Sequence, residues 1–500
     1  MQFTRTEGVV DYKMYINGEW VESDSRERFE SRDPFTGKVW ATFPRGNADD
    51  ADRAVAAAKR AAEKGAWASL NPTKRGHMLR RFADAIAENA ERLAVVETRD
   101  NGKLINEMLA QVRYVPEFFY YFAGMADKLE GQVIPIDKVD TFNFTRREPL
   151  GVCVAITAWN SPLLLAAYKL GPGLAAGNSF ILKPSEFTSA SAVELAKVAE
   201  EAGLPPGVLN VVTGFGAEVG APLVEHPDVA KVAVTGSEFG GQKVYESAAR
   251  GLKRVTLELG GKSPNIVFDD ANLDNAVRGA ISGIFAASGQ TCVAGSRLLV
   301  QRSIYDDFVS RVVKFGSTAR LGDPLDVETQ VGPVTTDPQY RKILDYIDIA
   351  KDEGAQTLLG GGPADGPEFG TAQFVQPTIF GNVNNAMRIA REEVFGPVLS
   401  CIPFEDEEEA LVIANDSPYA LASGVWTNNL RRALLMSEKL QAGTVWVNMY
   451  RAISYMSPFG GHKRSGVGHE NGLESIYDYT KTKSVWMSTS LETPDPFVIR

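Results

Sequence analysis

The sequence predicts an α/β protein with two domains, each built around a parallel β-sheet. Its 500 residues are 44% hydrophobic, and a single hydrophobic core stops growing at roughly 250–300 residues, so more than one domain is expected. From Pro149 onward, short apolar runs alternate with helical segments. This alternation is typical of parallel sheets that are covered by helices on both faces.

The N-terminal region, to about residue 130, is predicted to be mostly helical, because apolar residues recur at helical spacing over 49–66 and 72–90. Two sets of strands and helices follow. The first set has strands at 152–156, 179–182, 208–212, 229–234 and 255–259, with helices from about 162 and over 189–201. The second set has strands at 265–268, 297–301, 424–427 and 444–448, with helices over 273–288, 306–318 and 339–353.

Charge and cysteine content exclude several classes of protein. The net charge of −11 opposes contact with phosphate backbones and anionic lipids, so we expect no nucleic-acid or membrane partner. The N-terminus lacks the apolar segment of a secretory signal, and no apolar run approaches the roughly 18 residues that span a bilayer. Cys153, Cys292 and Cys401 form no C-x-x-C motif, and the histidines are not at metal-ligand spacing, so neither disulfides nor a metal are expected. A cytoplasmic location is the simplest interpretation.

Two glycine-rich turns after predicted strands are candidate phosphate sites. The turn Gly-Phe-Gly-Ala-Glu-Val-Gly, which contains Gly216 and ends at Gly220, is one residue longer than the dinucleotide-binding pattern G-x-G-x-x-G. A second turn, which contains Gly236 and Ser237, follows an apolar strand and opens a helix. Backbone N–H groups at such a helix start can bind a pyrophosphate. For both segments the alternative is a plain strand-to-helix turn.

Lys183 and Glu186 lie at the end of the predicted strand 179–182. Ligands bind at the carboxyl edge of a parallel sheet, and a lysine and a glutamate there could hold the two hydroxyls of a ribose. The alternative is a solvated ion pair.

Three polar residues in apolar or glycine-rich settings together suggest a mechanism. Asn160 ends a buried strand, Glu258 lies in an apolar strand before two glycines, and Cys292 lies in a glycine-bounded turn. A thiolate attacks a carbonyl carbon well, and the pKa of the thiol need fall only modestly from about 8.5. An amide can donate to the resulting oxyanion, and a glutamate in an apolar strand has a raised pKa suited to activating water. Taken singly, such a cysteine is usually a buried hydrophobe and such a glutamate usually faces solvent or an ion-pair partner.

In this order, these pieces resemble the aldehyde dehydrogenase superfamily, in its NAD-dependent, non-acylating bacterial type. The resemblance extends from about residue 15 to about residue 483. Further matching segments are Arg-Glu-Pro-Leu-Gly at 147–151, Arg-Glu-Glu-Val-Phe-Gly-Pro at 391–397, Val-Trp-Val-Asn at 445–448, Pro-Phe-Gly-Gly at 458–461 and Ser-Gly-Val-Gly-His-Glu at 465–470.

The resemblance implies a role for each matching residue. Cys292 corresponds to the nucleophile, which forms a thiohemiacetal and then a thioester; Asn160 and the Cys292 backbone N–H correspond to the oxyanion hole. Glu258 corresponds to the base that activates the hydrolytic water, and Glu470 to a second acidic position, a proton relay or a structural support. The implied cofactor contacts are Thr157, Trp159, Lys183, Glu186, Gly216, Gly220, Gly236, Ser237, Glu393 and Phe395.

The family fold implies three units. They are a Rossmann-like cofactor domain (1–126 and 150–259), a catalytic α/β domain (260–475), and a small β extension for oligomerisation (127–149 and 476–500). Residues 142–147 alternate as a strand should. An exposed strand needs a partner, so a homodimer or homotetramer is expected.

The substrate tunnel departs from many relatives at two places. Ala158 stands where many have proline, and Ser161 where many have a bulky aromatic, which would widen the tunnel near the reacting carbon. Arg451 at the tunnel mouth could pair with a substrate carboxylate or amide, as in a semialdehyde acid; the alternative is an arginine paired with a surface acid. The implied tunnel residues are Ser161, Leu165, Tyr168, Thr291, Val293, Arg451, Ile453 and Phe459.

Cofactor and product follow from two glutamates. Glu186 favours NAD, because its carboxylate near the ribose 2′-oxygen would repel the phosphate of NADP, although Lys183 could tolerate it. Glu258 favours hydrolysis to a free acid over acyl transfer to coenzyme A. Two alternatives stay open: a thiol esterase that needs no cofactor, and a non-catalytic protein that retains the fold.

Overall fold

The computed structural model describes residues 3–5, 7–364, 366, 369–492 and 495–498 as an α/β fold. Its helices are α1 (Ala48–Glu63), α2 (Pro72–Glu88), α3 (Ala90–Asn101), α4 (Ile105–Met125), α5 (Pro162–Ala176), α6 (Ala190–Glu201), α7 (Ala221–Glu225), α8 (Glu238–Arg250), α9 (Leu273–Ile284), α10 (Tyr305–Gly316), α11 (Asp337–Asp352), α12 (Arg388–Arg391), α13 (Glu407–Asn415) and α14 (Leu430–Lys439).

Strands lie before, between and after these helices. They are β1 (Val10–Asp11), β2 (Met14–Ile16), β3 (Glu19–Val21), β4 (Arg28–Arg32), β5 (Val39–Pro44), β6 (Thr141–Pro149), β7 (Val152–Thr157), β8 (Ser179–Pro184), β9 (Leu209–Val211), β10 (Val229–Thr235), β11 (Arg254–Glu258), β12 (Pro264–Val267), β13 (Arg297–Gln301), β14 (Gln356–Leu359), β15 (Thr378–Gly381), β16 (Val398–Phe404), β17 (Tyr419–Ala420), β18 (Ala422–Trp426), β19 (Thr444–Val447), β20 (His462–Lys463), β21 (Gly466–Val467) and β22 (Thr480–Ser488).

The larger sheet has the strand order β21-β11-β10-β7-β8-β9-β2-β3. Its central strands, β11 to β9, are parallel, which confirms the predicted parallel sheet. In register, Thr235 lies beside Glu258 and Ile156 beside Lys183. The carboxyl ends of four strands therefore meet at one edge, and this edge carries the candidate site.

The second sheet has the order β14-β15-β16-β13-β12-β18-β19 and is parallel except for β14. The four strands predicted for this half of the chain are present, but β15 and β16 add two central strands that the sequence did not indicate. Two apolar clusters include side chains of this sheet, with Ile266 and Phe380 in one and Val267 and Leu399 in the other.

The N-terminal region differs from its prediction. Residues 48–125 are helical as expected, but five short strands precede them, of which β1, β5 and β4 form a separate sheet. These strands have two to six residues and together mix buried, half-exposed and exposed side chains, so they lack the long apolar run that marks a buried strand. The helical part is well specified: Asn47 accepts from the N–H groups of Asp49 and Asp50 and so caps α1.

Strands β6 and β22 form a two-stranded antiparallel sheet, with Thr141 opposite Ser488 and Pro149 opposite Thr480. Trp486 on this ribbon is 58% exposed. We propose the three-unit division expected from the sequence, because the large sheet, the second sheet and this ribbon fall mainly in separate segments of the chain. Strand β21 is an exception, since it lies in the proposed catalytic segment and pairs with β11.

No helix among the described residues has both the length and the apolar character needed to cross a bilayer. Within the same residues, no group of three or more His, Cys, Asp or Glu side chains is arranged to hold a metal ion.

Candidate active site

A cavity of about 620 Å³ opens at the carboxyl edge of the larger sheet. Both glycine-rich turns and the three predicted catalytic segments border it. Glu258 itself is not among the residues that line the cavity. The predicted residues that line it are Thr157, Trp159, Asn160, Leu165, Lys183, Glu186, Gly216, Gly220, Gly236, Ser237, Cys292, Glu393 and Phe395.

Three loops meet behind this cavity because glycines allow their backbones to touch. A Cβ on Gly261 would lie 2.5 Å from the Cys292 carbonyl oxygen, and one on Gly289 would lie 2.1 Å from the carbonyl oxygen of Gly396. Gly261 N–H also donates to Glu393 Oε1 at 2.9 Å. The segments that carry Glu258, Cys292 and Glu393 are thereby held against one another, and no larger residue would fit at these contacts.

The turn before Cys292 is strained. Ala287, Ser288 and Gly289 have φ values of 55°, 51° and 68°, a left-handed run that non-glycine residues rarely adopt. Such strain clusters at functional sites.

The electrostatics of Cys292 differ from the expectation. Burial, followed by the charges of Glu393 and Glu258, raises the pKa of the Cys292 thiol to about 12, while Lys103 and the residue's own N–H act in the opposite direction. The expectation of a modestly lowered thiol pKa is therefore wrong. The thiol is protonated at neutral pH and needs a base when it attacks.

Asn160 lies in the turn between β7 and α5 and is buried. Its Nδ2 donates to the carbonyl oxygen of Gln290 at 3.0 Å, two residues before Cys292. One of the two amide hydrogens is used in this bond, and the other is available to an oxyanion formed at Cys292.

Glu258, the last residue of β11, is 3% exposed. Both of its carboxyl oxygens are buried and have no hydrogen-bond partner among the described residues. Burial and the neighbouring charge of Glu470 raise its pKa well above the ordinary value, against the opposing effect of Lys169. The raised pKa expected from the sequence is confirmed, and the carboxyl group is free of bonds that would fix it.

Glu470 lies behind Glu258 in a buried polar chain. Lys169 Nζ donates to Glu470 Oε1 at 2.7 Å and to Thr235 Oγ1 at 2.6 Å. We did not predict Lys169 from the sequence. Its signal was present, however: it is the only charged residue in the otherwise apolar, fully buried helix α5, and a buried ammonium needs a partner.

The other end of the cavity suits a dinucleotide. Ser237 caps α8 by accepting from Gly240 N–H at 3.2 Å, and Lys183 Nζ lies 3.4 Å from Glu186 Oε2. A Cβ on Gly216 or Gly220 would meet open space, so a ligand can approach the backbone there. The buried Thr157 Oγ1 has no partner among the described side chains and backbone groups. Phosphate, ribose and hydroxyl groups of NAD therefore find suitable partners.

Sequence comparison assigns the chain to a family. The sequence profile of the aldehyde dehydrogenase family matches residues 20–485. The chain belongs to the aldehyde dehydrogenase family. A mitochondrial aldehyde dehydrogenase of Homo sapiens is 46% identical to it over 95% of this chain and 91% of that protein. The (Z)-2-((N-methylformamido)methylene)-5-hydroxybutyrolactone dehydrogenase of Acinetobacter baylyi is 44% identical over 98% of this chain and 99% of that protein.

Solved structures agree with this assignment. The betaine aldehyde dehydrogenase of Staphylococcus aureus, crystallised with NAD⁺, superposes with a TM-score of 0.96 at 39% identity, covering 98% of this chain and 97% of that one. A point mutant of the same enzyme, also with NAD⁺, carries a BME-modified cysteine and gives the same TM-score. The fold predicted from the sequence resemblance is thereby confirmed.

The residues expected to form the substrate tunnel lie in several different environments. Tyr168 and Phe459 are in edge-to-face contact, with ring centroids 5.9 Å apart. Val293 and Phe459 pack in one apolar cluster with Cys292, and Ile453 packs against the core near Phe459. Thr291 is half-buried beside the nucleophile. None of these five residues lines the dinucleotide cavity.

Arg451 lies farther out and is half-buried. Its Nη1 donates to the Ser282 carbonyl oxygen at 3.2 Å, and its φ is 64°. It forms no ion pair with any carboxylate of the described residues, so the alternative of an arginine bound to a surface acid receives no support.

Sequence reasoning missed two further residues near the site. Gln339 Nε2 donates to the carbonyl oxygens of Val394 and Phe395 at 2.8 and 3.1 Å, which fixes the loop that carries Glu393. Lys103, after α3, reaches Ser161. A lysine in a turn is ordinarily solvated, so the sequence carried no sign that it is buried.

Proposed function

We propose that this aldehyde dehydrogenase oxidises an aldehyde to a carboxylic acid with NAD, using Cys292 as nucleophile, Asn160 and the Cys292 N–H as oxyanion donors, and Glu258 as base. The NAD-dependent oxidation of aldehydes is the activity of the family; the residue roles are the proposal. The observation that carries it is the meeting of the 258, 289–293 and 160 segments at one edge of the sheet.

The steps follow from the positions of these groups. Cys292 transfers its proton to solvent and attacks the carbonyl carbon, and Asn160 donates to the oxygen of the resulting thiohemiacetal. Bound NAD supplies the acceptor for the hydride that leaves this carbon. Glu258 then takes a proton from a water molecule, which attacks the thioester on Cys292 and releases the acid.

Glu470 and Lys169 form a path along which the proton taken by Glu258 can be transferred. The charge of Glu470 acts on Glu258, and Lys169 links Glu470 to Thr235 through two short hydrogen bonds. We propose that this chain carries protons between Glu258 and the interior of the sheet. The cofactor-independent esterase is disfavoured, because Lys183, Glu186 and Glu393 around the cavity would serve no purpose in it.

Replacing Glu186 by glutamine is expected to relax the preference for NAD. The carboxylate that opposes a 2′-phosphate disappears, while Lys183 beside it remains. The ratio of kcat/KM with NADP to that with NAD should rise about tenfold, measured from the absorbance of the reduced cofactors at a fixed aldehyde concentration. An unchanged ratio would show that Glu186 does not select the cofactor.

We propose a substrate that carries a carboxylate or another polar group, because Arg451 presents an arginine without an acidic partner near the tunnel. The Acinetobacter baylyi relative is named for a 5-hydroxybutyrolactone, a group that is the ring-closed form of an aldehyde acid. Betaine aldehyde, for which the Staphylococcus aureus enzyme is named, carries the opposite charge. The two relatives therefore represent the choice between an anionic and a cationic substrate.

Replacing Arg451 by alanine is expected to lower kcat/KM for a carboxyl-bearing aldehyde by at least about 30-fold, which corresponds to loss of a pairing worth roughly 2 kcal/mol. A neutral aldehyde of equal length should lose much less. Steady-state kinetics with both aldehydes provides the measurement. Equal kcat/KM values before and after the substitution, for both substrates, would remove Arg451 from substrate recognition.

We also propose a cytoplasmic homodimer or homotetramer assembled through the β6–β22 ribbon. Trp486 and Met487 are exposed on β22, and Trp486 is a large apolar side chain of the kind enriched at interfaces. Light scattering on the purified chain would give the mass; a monomer would contradict the proposal.

The overall function is tested with aliphatic, aromatic and carboxyl-bearing aldehydes, each with NAD and NADP. Formation of reduced cofactor with at least one aldehyde is expected, together with one equivalent of acid. Absence of any turnover across the panel would contradict the proposed function.

A further inference from the structure

Lys103 is a buried cation with an incomplete set of partners. It follows Gly102, the left-handed cap of α3, and is 3% exposed. Its Nζ donates to Ser161 Oγ at 3.1 Å and forms no ion pair with a described carboxylate. An ammonium has three hydrogens to donate, and a lysine is almost never fully buried unless it is paired. The charges of Glu107 and Glu97 act on it, but among the described residues no carboxylate lies at ion-pair distance from this ammonium.

The position of Lys103 relates it to the nucleophile. Ser161, to which the Lys103 ammonium donates, directly follows Asn160, whose amide lies 3.0 Å from the carbonyl oxygen of Gln290. The charge of Lys103 also acts on Cys292, where it opposes the rise in the thiol pKa. Lys103 does not border the dinucleotide cavity. Lys103 therefore acts on Cys292 from outside the dinucleotide cavity.

Two acidic residues lie near Lys103 but do not neutralise it fully. Glu107 Oε1 accepts from Ala287 N–H at 2.7 Å, so one of its oxygens faces the nucleophile turn. Burial raises the pKa of Glu97 to about 7, so this carboxyl group is only about half ionised at neutral pH. Burial lowers the pKa of Lys103 itself to about 8, which leaves most of the ammonium charged.

Arg451 is a second cation within electrostatic reach of Lys103. Their charges act on each other, since Arg451 contributes to the lowered pKa of Lys103. Two positive charges facing the same region repel, and an anion bound between them would stabilise both.

We propose that Lys103 and Ser161 bind the carboxylate of the substrate, with Arg451 as a second positive charge, and that the substrate is a short-chain aldehyde bearing a terminal carboxylate. This inference rests on the proposed function of the site. Ser161 accepts a hydrogen bond from Lys103, so its own hydrogen is free to be donated onward to a carboxylate oxygen. The ammonium thus acts on the substrate both directly and through this hydroxyl.

A short substrate is proposed because the two binding groups are neighbours in the chain. Ser161 directly follows Asn160, the residue proposed to hold the aldehyde oxygen, so consecutive residues would bind the carboxylate and the aldehyde. A serine at 161, in place of a bulky side chain, also leaves room for the carboxylate beside the reacting carbon.

The test compares two substrates that differ only in charge, 4-oxobutanoate and its methyl ester, with NAD as cofactor. The ratio of their kcat/KM values is measured for the wild type and for Lys103→Met, Ser161→Ala and Lys231→Met. Lys231 is a matched control: it is another buried lysine, bonded to Thr256, and lies on β10 outside the site. Because both substrates are assayed on the same preparation, the ratio does not depend on the fraction of active protein.

The wild type should prefer 4-oxobutanoate. Lys103→Met should lower the ratio about 30-fold or more and Ser161→Ala about fivefold, whereas Lys231→Met should leave the ratio unchanged. If Lys103→Met does not fold, the Ser161→Ala ratio decides. A ratio that is the same in wild type, Lys103→Met and Ser161→Ala overturns this inference while the proposed function stands. If the wild type oxidises neither compound nor any other aldehyde, the proposed function itself fails.

Discussion

Replacing Cys292 by alanine is expected to abolish aldehyde oxidation, with kcat/KM at least about 10⁴-fold lower. Cys292 is the one described cysteine that borders the cavity; Cys153 and Cys401 are buried within the sheets. Without the sulfur no covalent intermediate forms. Asn160 then has no oxyanion to stabilise, and the water activated by Glu258 has no thioester to hydrolyse. The lost step cannot be replaced by water, because the thiohemiacetal is the species from which the hydride leaves.

Cys401→Ala provides the matched control. Cys401 lies on β16 in the second sheet and is fully buried, so its replacement removes one sulfur without touching the site. It should retain wild-type kcat/KM with only a small loss of stability. Calorimetric titration with NAD should show that Cys292→Ala still binds the cofactor. Substantial turnover by Cys292→Ala would show that another group is the nucleophile.

The sequence predicted the regular parts of the fold better than its short strands. Strands β7, β8, β10 and β11 agree with their predicted bounds within two residues, because each is an apolar run with a glycine or proline nearby. The strands before residue 45 were missed, because they are short and their side chains are partly buried and partly exposed. Their pairing depends on contacts with distant segments, such as Tyr15 opposite Val211, which local patterns do not contain.

The parts of the site that consist of local sequence motifs were predictable. Cys292, Glu258, Asn160 and the cofactor turns were identified by residue type and setting, and the resemblance ordered them. Lys103 and Lys169 were not, because their roles arise only from burial beside partners 58 and 301 residues away, Ser161 and Glu470. The expected direction of the Cys292 pKa shift was also wrong, since burial, followed by the charges of Glu393 and Glu258, raises this pKa, and neither carboxylate is near Cys292 in sequence.

Activity is expected to rise with pH from about pH 6 to pH 9. Both catalytic groups act in their deprotonated forms, and burial raises the pKa of Cys292 to about 12 and that of Glu258 well above its usual value. The reactive fraction of each therefore grows as pH increases and is lost as pH falls below the raised pKa of Glu258.

Replacing Glu258 by glutamine is expected to separate acylation from hydrolysis. Glutamine keeps the size of the side chain but cannot take a proton from water, so the thioester on Cys292 should accumulate. Mixing the variant with NAD and an aldehyde should give a burst of about one reduced cofactor per site, followed by a steady rate about 10²- to 10⁴-fold below wild type. Mass spectrometry should find the acyl group on Cys292.

Glu258 is a good candidate for the base in hydrolysis because its carboxyl group makes no structural hydrogen bond. Its oxygens accept no hydrogen bond from described groups, whereas a structural glutamate in a sheet would be paired. Glu328→Gln, at an exposed surface ion pair with Arg320, is the control and should behave as wild type. If Glu258→Gln shows neither burst nor acyl adduct yet still turns over slowly, the carboxylate acts earlier, as the base for Cys292. Because the thiol pKa is raised to about 12, both roles have a physical basis, and the burst amplitude distinguishes them.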